Sequence, residues 1–159
     1  MPAMCPAAEK LEKIFTRLID IHADKAEAIG RLRSRLETLL CSPLPEPVEV
    51  ELEPLEAVLE AMDKDELLEF SLALLKAQGL YIDPAKVQLA IVDSETIYDA
   101  SVQKHVQQYT MRIYTGDLIV DLNLEYKIGE ARYVICYEVW QRNPPPQNPT
   151  LLHSTCSKS

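Results

Sequence analysis

The sequence predicts an α+β fold, with N-terminal helices packed on one face of a C-terminal antiparallel β-meander of about four strands. Three observations carry this expectation. Apolar residues recur at helical spacing up to about residue 79, the periodicity changes to two from Lys86 onward, and glycine-bearing turns separate the alternating segments. At 159 residues, 47% hydrophobic and 26% charged, the chain has the size of one domain able to bury a core. The reading is therefore a single domain over 9–142, with a flexible N-terminus at 1–8 and a Pro-rich mobile tail at 143–159.

Residues 9–40 carry a heptad seam through Leu11, Phe15, Leu18, His22, Lys25, Ile29, Leu32, Leu36 and Leu39. A continuous helix there would be about 45 Å long at ~1.5 Å per residue, too long for so small a domain to cover. Leu11, Phe15, Leu18, Ile29, Leu32, Leu36 and Leu39 are accordingly the candidate oligomerisation residues. The alternative is two shorter helices on the protein's own core, with Asp24 capping the restart and Glu27 closing a capping box. Gly30 weakens a continuous helix by ~1 kcal/mol.

A linker around Pro43, Pro45 and Pro47 follows, with a short edge strand at Val48–Leu52. Helices occupy 54–79: Pro54 suits a first helical turn, Asp63 opens a capping box with Glu66, and Gly79 suits the residue just past the helix end. The sheet spans 86–142, with strands at KVQLAIV, Val106–Tyr114, Leu118–Lys127 and Arg132–Gln141; ETIYDASVQK is ambiguous between helix and strand. Turns at Thr115-Gly116 and Gly129-Glu130 would pair Ile113 with Leu118, Met111 with Val120, Tyr109 with Leu122, Tyr126 with Tyr133 and Leu122 with Tyr137. Pro144–Pro146 suits a short polyproline II piece.

The formal net charge of −9 is concentrated: between Glu46 and Glu69 ten acids face one base, Lys64. The remainder is neutral, so basic groups such as Arg31, Arg33 and Arg35 keep the ability to hold phosphate. No apolar run reaches the ~18 residues of a membrane span, and MPAMCPAAEK lacks the order of a signal peptide. An intracellular, cytoplasmic protein without a membrane partner is expected. Cys5, Cys41, Cys136 and Cys156 form no C-x-x-C pair, which favours free thiols over zinc or a disulfide framework, with an intersubunit disulfide or one of the kind found inside hyperthermophile cells left open.

In LIVDLNLEYK, residues 118–127, Leu118, Val120, Leu122, Leu124 and Tyr126 form one face and Ile119, Asp121, Asn123, Glu125 and Lys127 the other. The second face gathers Tyr114, Arg112, Ile119 and Trp140 toward one end and Lys127 and Arg132 toward the other, with Asp121 opposite Glu138 at its centre. Like charges opposite each other need compensation. A cation between them, relief by Thr110 and Arg112, or a ligand on the face would each supply it. No H-E-x-x-H, G-x-S-x-G or Gly-rich phosphate loop accompanies the pair, so no catalytic residue, metal ligand or cofactor is expected. Aromatic and apolar side chains interleaved with cations suit single strands, whose bases stack on rings while cations follow the backbone.

Helices followed by a meander bearing Tyr114, Trp140, Arg112, Lys127 and Arg132, with a zipper-like helix at 9–40, resemble the ThermoDBP-related proteins of archaea. That resemblance implies binding of single-stranded DNA without base preference by a dimer or tetramer. The sequence expectation is thus a single-stranded nucleic-acid (DNA or RNA) binding homo-oligomer, with Trp140, Arg112, Tyr114, Ile119, Lys127, Arg132, Arg31, Arg33 and Arg35 as contacts. The alternative is an interaction or scaffold protein that oligomerises through its N-terminal helix and binds no nucleic acid.

Overall fold

A computed structural model describes residues 6–156 and has the α+β class, with four N-terminal α-helices and an antiparallel sheet of six strands. By internal contacts it divides into a helical unit, residues 1–45 with 50–81, and a sheet unit, residues 46–49 with 82–159. No helix among the described residues is long and apolar enough to cross a membrane.

The heptad region is two helices, α1 (Pro6–Ile21) and α2 (Ala26–Cys41), joined by a 3-10 turn at Ala23–Lys25. The break falls where the seam is polar: His22 (φ −116°, ψ 60°) and Lys25 (φ −113°, ψ 13°) leave helical geometry, and α1 and α2 fold back along each other. Without an apolar side chain at those two positions, nothing rewards a continuous seam. The restart at Ala26 has no side-chain cap, so the expected roles of Asp24 and Glu27 are not taken up. Leu11, Phe15, Leu18, Ile29, Leu32 and Leu36 are buried, and Phe15 meets Phe70 edge-on at 6.2 Å. The expected flexible N-terminus falls largely on residues 1–5, outside the described part, and α1 begins at Pro6.

α3 (Leu52–Ala61) follows β1 (Val48–Glu51), with Pro54 in its first turn. α4 (Lys64–Ala77) opens on the expected capping box: Glu66 N–H donates to Asp63 Oδ1 at 2.8 Å, and Asp63 N–H donates to Glu66 Oε1 at 3.2 Å. Arg17 pairs with the same Glu66. It closes in a Schellman motif, Gly79 N–H to Lys76 O (2.9 Å) and Leu80 N–H to Leu75 O (3.0 Å), with Gly79 at φ +93° where a side chain would be strained.

The sheet holds β2 (Val87–Asp99), β3 (Lys104–Thr115), β4 (Leu118–Lys127), β5 (Arg132–Gln141) and β6 (Thr150–Ser154), in the order β1-β5-β4-β3-β2 with β6 also on β5. The ambiguous ETIYDASVQK resolves as the end of β2 and its turn into β3. Val120, Leu122, Leu124, Ile135, Tyr137, Val139, Met111 and Ile113 are all buried.

The β4–β5 register is the expected one, with Tyr126 opposite Tyr133 and Leu122 opposite Tyr137. The β3–β4 register differs by two residues: Ile113 lies opposite Val120, Met111 opposite Leu122 and Tyr109 opposite Leu124. The cause is turn chemistry. Gly116, at φ +56°, takes the first position of a Gly116-Asp117 turn, the one place in a II′ hairpin that needs positive φ. A shift of two keeps every side chain on its expected face but gives it a new neighbour.

The stretch expected to be a mobile tail instead returns to the sheet as β6, opposite Glu138–Gln141. Pro144–Gln147 is a turn closed by Gln147 N–H to Pro144 O at 3.1 Å, not polyproline II. Among the described residues no cysteine is free, which corrects the free-thiol expectation. Cys136 is bonded to Cys156 with Cα atoms 5.0 Å apart, and Cys41 is also disulfide-bonded. The sequence hides the first bond because β6 must return before residues 20 apart can meet.

Candidate interaction surface

Cross-strand pairing orders the second face of the sheet into rows. Leu89, Tyr114, Ile119, Trp140 and Leu151 form an apolar and aromatic row, and Ile91, Arg112, Asp121, Glu138 and Ser154 form the next. Asp93, Thr110, Asn123 and Cys136 form a third.

The shifted β3–β4 register explains the acidic pair at the centre. Arg112 lies opposite Asp121, not Ile119, and grips it with two parallel bonds, Nε to Oδ1 at 2.8 Å and a terminal NH2 nitrogen to Oδ2 at 2.9 Å. This bidentate contact, followed by the Asp121 charge, raises the Arg112 pKa above its ordinary value despite partial burial. Glu138 is relieved separately: Asn123 Nδ2 donates to its Oε1 at 3.2 Å, and Thr110 Oγ1 donates to Asn123 Oδ1 at 3.0 Å. Like charges on adjacent strands are thus each given their own donor.

The other sequence candidates on this face are also engaged. Lys127 faces Glu125 at 3.7 Å, and Arg132 pairs with both Glu49 and Glu130. Ile119 is buried, Trp140 is half-buried, and the Trp140 indole Nε1 is buried with no hydrogen-bond partner among the described residues. Tyr114 is half-buried and lies 5.4 Å from the Arg142 guanidinium. The helical candidates do not form one patch. Arg31 reaches Glu27 at 3.2 Å and Glu51 at 4.0 Å, while Arg33 is partly buried beside Glu37 at 3.8 Å. Burial is the largest influence on Glu37 and raises its pKa, opposed by Arg33 and assisted by Glu12. Arg35 shares a helix face with Arg31 and not with Arg33, being four residues from one and two from the other. Of the oligomerisation candidates all but the half-buried Leu39 are buried within the single chain.

Glu125, Cys136 and Cys156 cluster with potential ligand atoms within 4.8 Å of one another. The two sulfurs are joined to each other, however, and a metal takes the thiolate. Asp121 and Glu138 are held by Arg112 and Asn123.

What remains open is the outer edge of β2. Among the described residues no strand lies beyond it, so its outward N–H and C=O groups have no ladder partner. Leu89 (52% exposed) and Ile91 (45%) project on one face and Val92 on the other. The strand is thirteen residues long, far more than the short edges by which proteins usually avoid stray pairing. Its far end is tied by hydrogen bonds. The buried Asp99 carboxylate accepts Ser101 Oγ (2.6 Å) and Ser101 N–H (2.9 Å) on Oδ1, and Tyr126 OH (2.7 Å) and Gly129 N–H (2.9 Å) on Oδ2. These bonds, Ser101 Oγ first, hold the Asp99 pKa far below the usual carboxylate range and fasten the β2–β3 turn to the β4–β5 turn.

The sequence reading missed this edge. Its signal is present in four successive apolar residues, Leu89 to Val92, running into Asp93 and Glu95 at alternate positions; periodicity alone cannot tell which strand lies outermost. Comparison with known family models, curated proteins and solved structures gives no match.

Proposed function

We propose that this chain is a non-catalytic protein-interaction module whose sheet takes up an extended segment of a partner protein along the free edge of β2. The observation that carries this reading is the combination of an unpaired edge with apolar side chains exposed on both faces of the same strand. A partner strand would satisfy the outward backbone groups and cover Leu89, Ile91 and Val92 together, with affinity coming from main-chain bonds and selectivity from alternate side chains. Asp99 supports the reading by fixing the strand's end in advance, which lowers the ordering cost of binding.

Single-stranded nucleic acid, the expectation from the aromatic and basic residues, has weaker support from the geometry. Arg112, Lys127 and Arg132 each have a carboxylate partner, and a phosphate would have to displace it. Assembly through the α1–α2 seam has little support for a similar reason, since its apolar side chains, the half-buried Leu39 excepted, are covered within one chain.

The test is a selection of random extended peptides on the immobilised protein, followed by hydrogen exchange with the enriched peptides bound. Slowed exchange at 89–97 supports the reading. Enriched peptides that slow exchange elsewhere and leave β2 untouched contradict it. A salt-sensitive complex with oligothymidylate that shifts Trp140 emission would favour the nucleic-acid reading instead.

A further inference from the structure

Leu89 and Ile91 are followed on the same face of β2 by Asp93 and Glu95, all four of them exposed. Nothing basic on the neighbouring strand answers these carboxylates: Thr110 lies opposite Asp93, and Gln108 lies opposite Glu95 and donates to its Oε2 at 3.1 Å. The nearest cation in the register, Arg112, lies opposite Ile91 and is committed to Asp121. The docking edge therefore has an apolar half and an acidic half.

We infer that the segment taken up by β2 is apolar at one end and basic at the other, with Val- or Ile-like residues over Leu89 and Ile91 and Lys or Arg over Asp93 and Glu95. This rests on the reading of β2 as a docking edge. Directly opposed residues of adjacent strands lie within ~5.5 Å at Cβ, close enough for each carboxylate to meet a cation.

The same carboxylates disfavour a second copy of this chain as the occupant. In a two-fold antiparallel pairing of β2 with itself, the register centred on Ser94 would pair the regular part of the strand most fully, and it sets Asp93 against Glu95 twice. Centring on Asp93 or on Glu95 sets that acid against its own copy. Centring on Val92 avoids this but leaves seven residues, 89–95, in register and puts Ile91 opposite Asp93 and Leu89 opposite Glu95. Acids that repel a copy attract a basic strand, which is how an edge can be both protected and selective.

The experiment uses the full chain and three capped peptides labelled with fluorescein. Lys-Thr-Lys-Thr-Val-Thr-Val sets its lysines over Glu95 and Asp93 in an antiparallel pairing, Val-Thr-Val-Thr-Lys-Thr-Lys does so in a parallel one, and Glu-Thr-Glu-Thr-Val-Thr-Val is the charge-reversed control. Binding is read by anisotropy, and its location by hydrogen exchange at 89–97. One lysine peptide should bind and slow exchange along β2. Its binding should weaken roughly two- to thirtyfold in the Asp93→Asn/Glu95→Gln protein, from two cross-strand charge pairs. The glutamate peptide should bind more weakly than the lysine peptide, and the order should reverse in an Asp93→Lys/Glu95→Lys protein. Equal protection of β2 by lysine and glutamate peptides overturns the charge rule while leaving the docking edge standing. No protection of β2 by any peptide removes both. Concentration-dependent protection of β2 in the protein alone identifies a second copy as the occupant and overturns the inference.

Discussion

Removing the Arg112 side chain would strip Asp121 of both hydrogen bonds of its bidentate grip, at 2.8 and 2.9 Å, and leave a buried carboxylate one strand away from Glu138. Breaking a fully buried ion pair in this way costs about 3–5 kcal/mol. Here the arginine side chain is 46% exposed while that of Asp121 is 8% exposed, so water screens one partner and the cost falls to about 1–3 kcal/mol. Arg112→Ala should therefore destabilise the sheet by that amount, and Asp121→Asn, which keeps an acceptor but loses the charge, by less. In a double-mutant cycle the Arg112→Ala/Asp121→Ala protein should be less destabilised than the two single changes added, by about 1 kcal/mol or more. Urea titration followed by Trp140 fluorescence is the assay, because the only tryptophan lies on β5, the strand that carries Glu138. A coupling below about 0.3 kcal/mol, the usual scatter for independent sites, would refute the view that Arg112 is there to neutralise Asp121.

Leu122, fully buried between Met111 and Tyr137, should cost about 2–5 kcal/mol when truncated to Ala, seen as a lower urea midpoint at unchanged slope. Asp99→Asn should flatten the acid limb of stability. A carboxylate whose folded pKa is depressed contributes stability that is fully present above its unfolded value near ~3.9 and lost as pH falls toward the folded one, so melting temperatures of wild type and variant should converge below pH ~4. Leu32→Asp places a charge in the helical core and should unfold the helical unit in circular dichroism; a folded protein of smaller assembly size in light scattering would instead restore the seam as an interface.

The sequence reveals most where a local rule and a long-range need coincide. Asp63 with Glu66 and Gly79 mark the two ends of α4 because capping depends only on residues within a turn. The faces of β3, β4 and β5 follow from alternation, which survives any even shift of register. The β3–β4 pairing itself does not follow from alternation, because shifting by two residues still sets apolar against apolar; the position of Gly116 in the turn decides it. β6 and the Cys136–Cys156 bond were illegible because a five-residue strand after a run of prolines has no periodicity to speak of, and its pairing is fixed by β5 alone. The seam is the two-helix alternative, α1 and α2, and not one continuous helix. Heptad spacing fits two helices packed on each other as well as it fits two chains, and the polar His22 and Lys25 mark the fold-back. On the candidate site, Arg112 and Trp140 were placed on the correct face, but their partners, which determine whether a side chain is available to a ligand, emerge only from register and from the return of β6.

Docking along β2 can be seen by isotope-edited nuclear magnetic resonance of the labelled protein with a bound unlabelled peptide from the selection. Strand addition predicts intermolecular Hα–Hα or Hα–amide contacts in a ladder at alternate residues between Leu89 and Ile97, with the outward amides of β2 shifted and protected. Contacts confined to Trp140, Tyr114 and the arginines, with β2 unshifted, would contradict docking there and return the binding surface to the face of the meander.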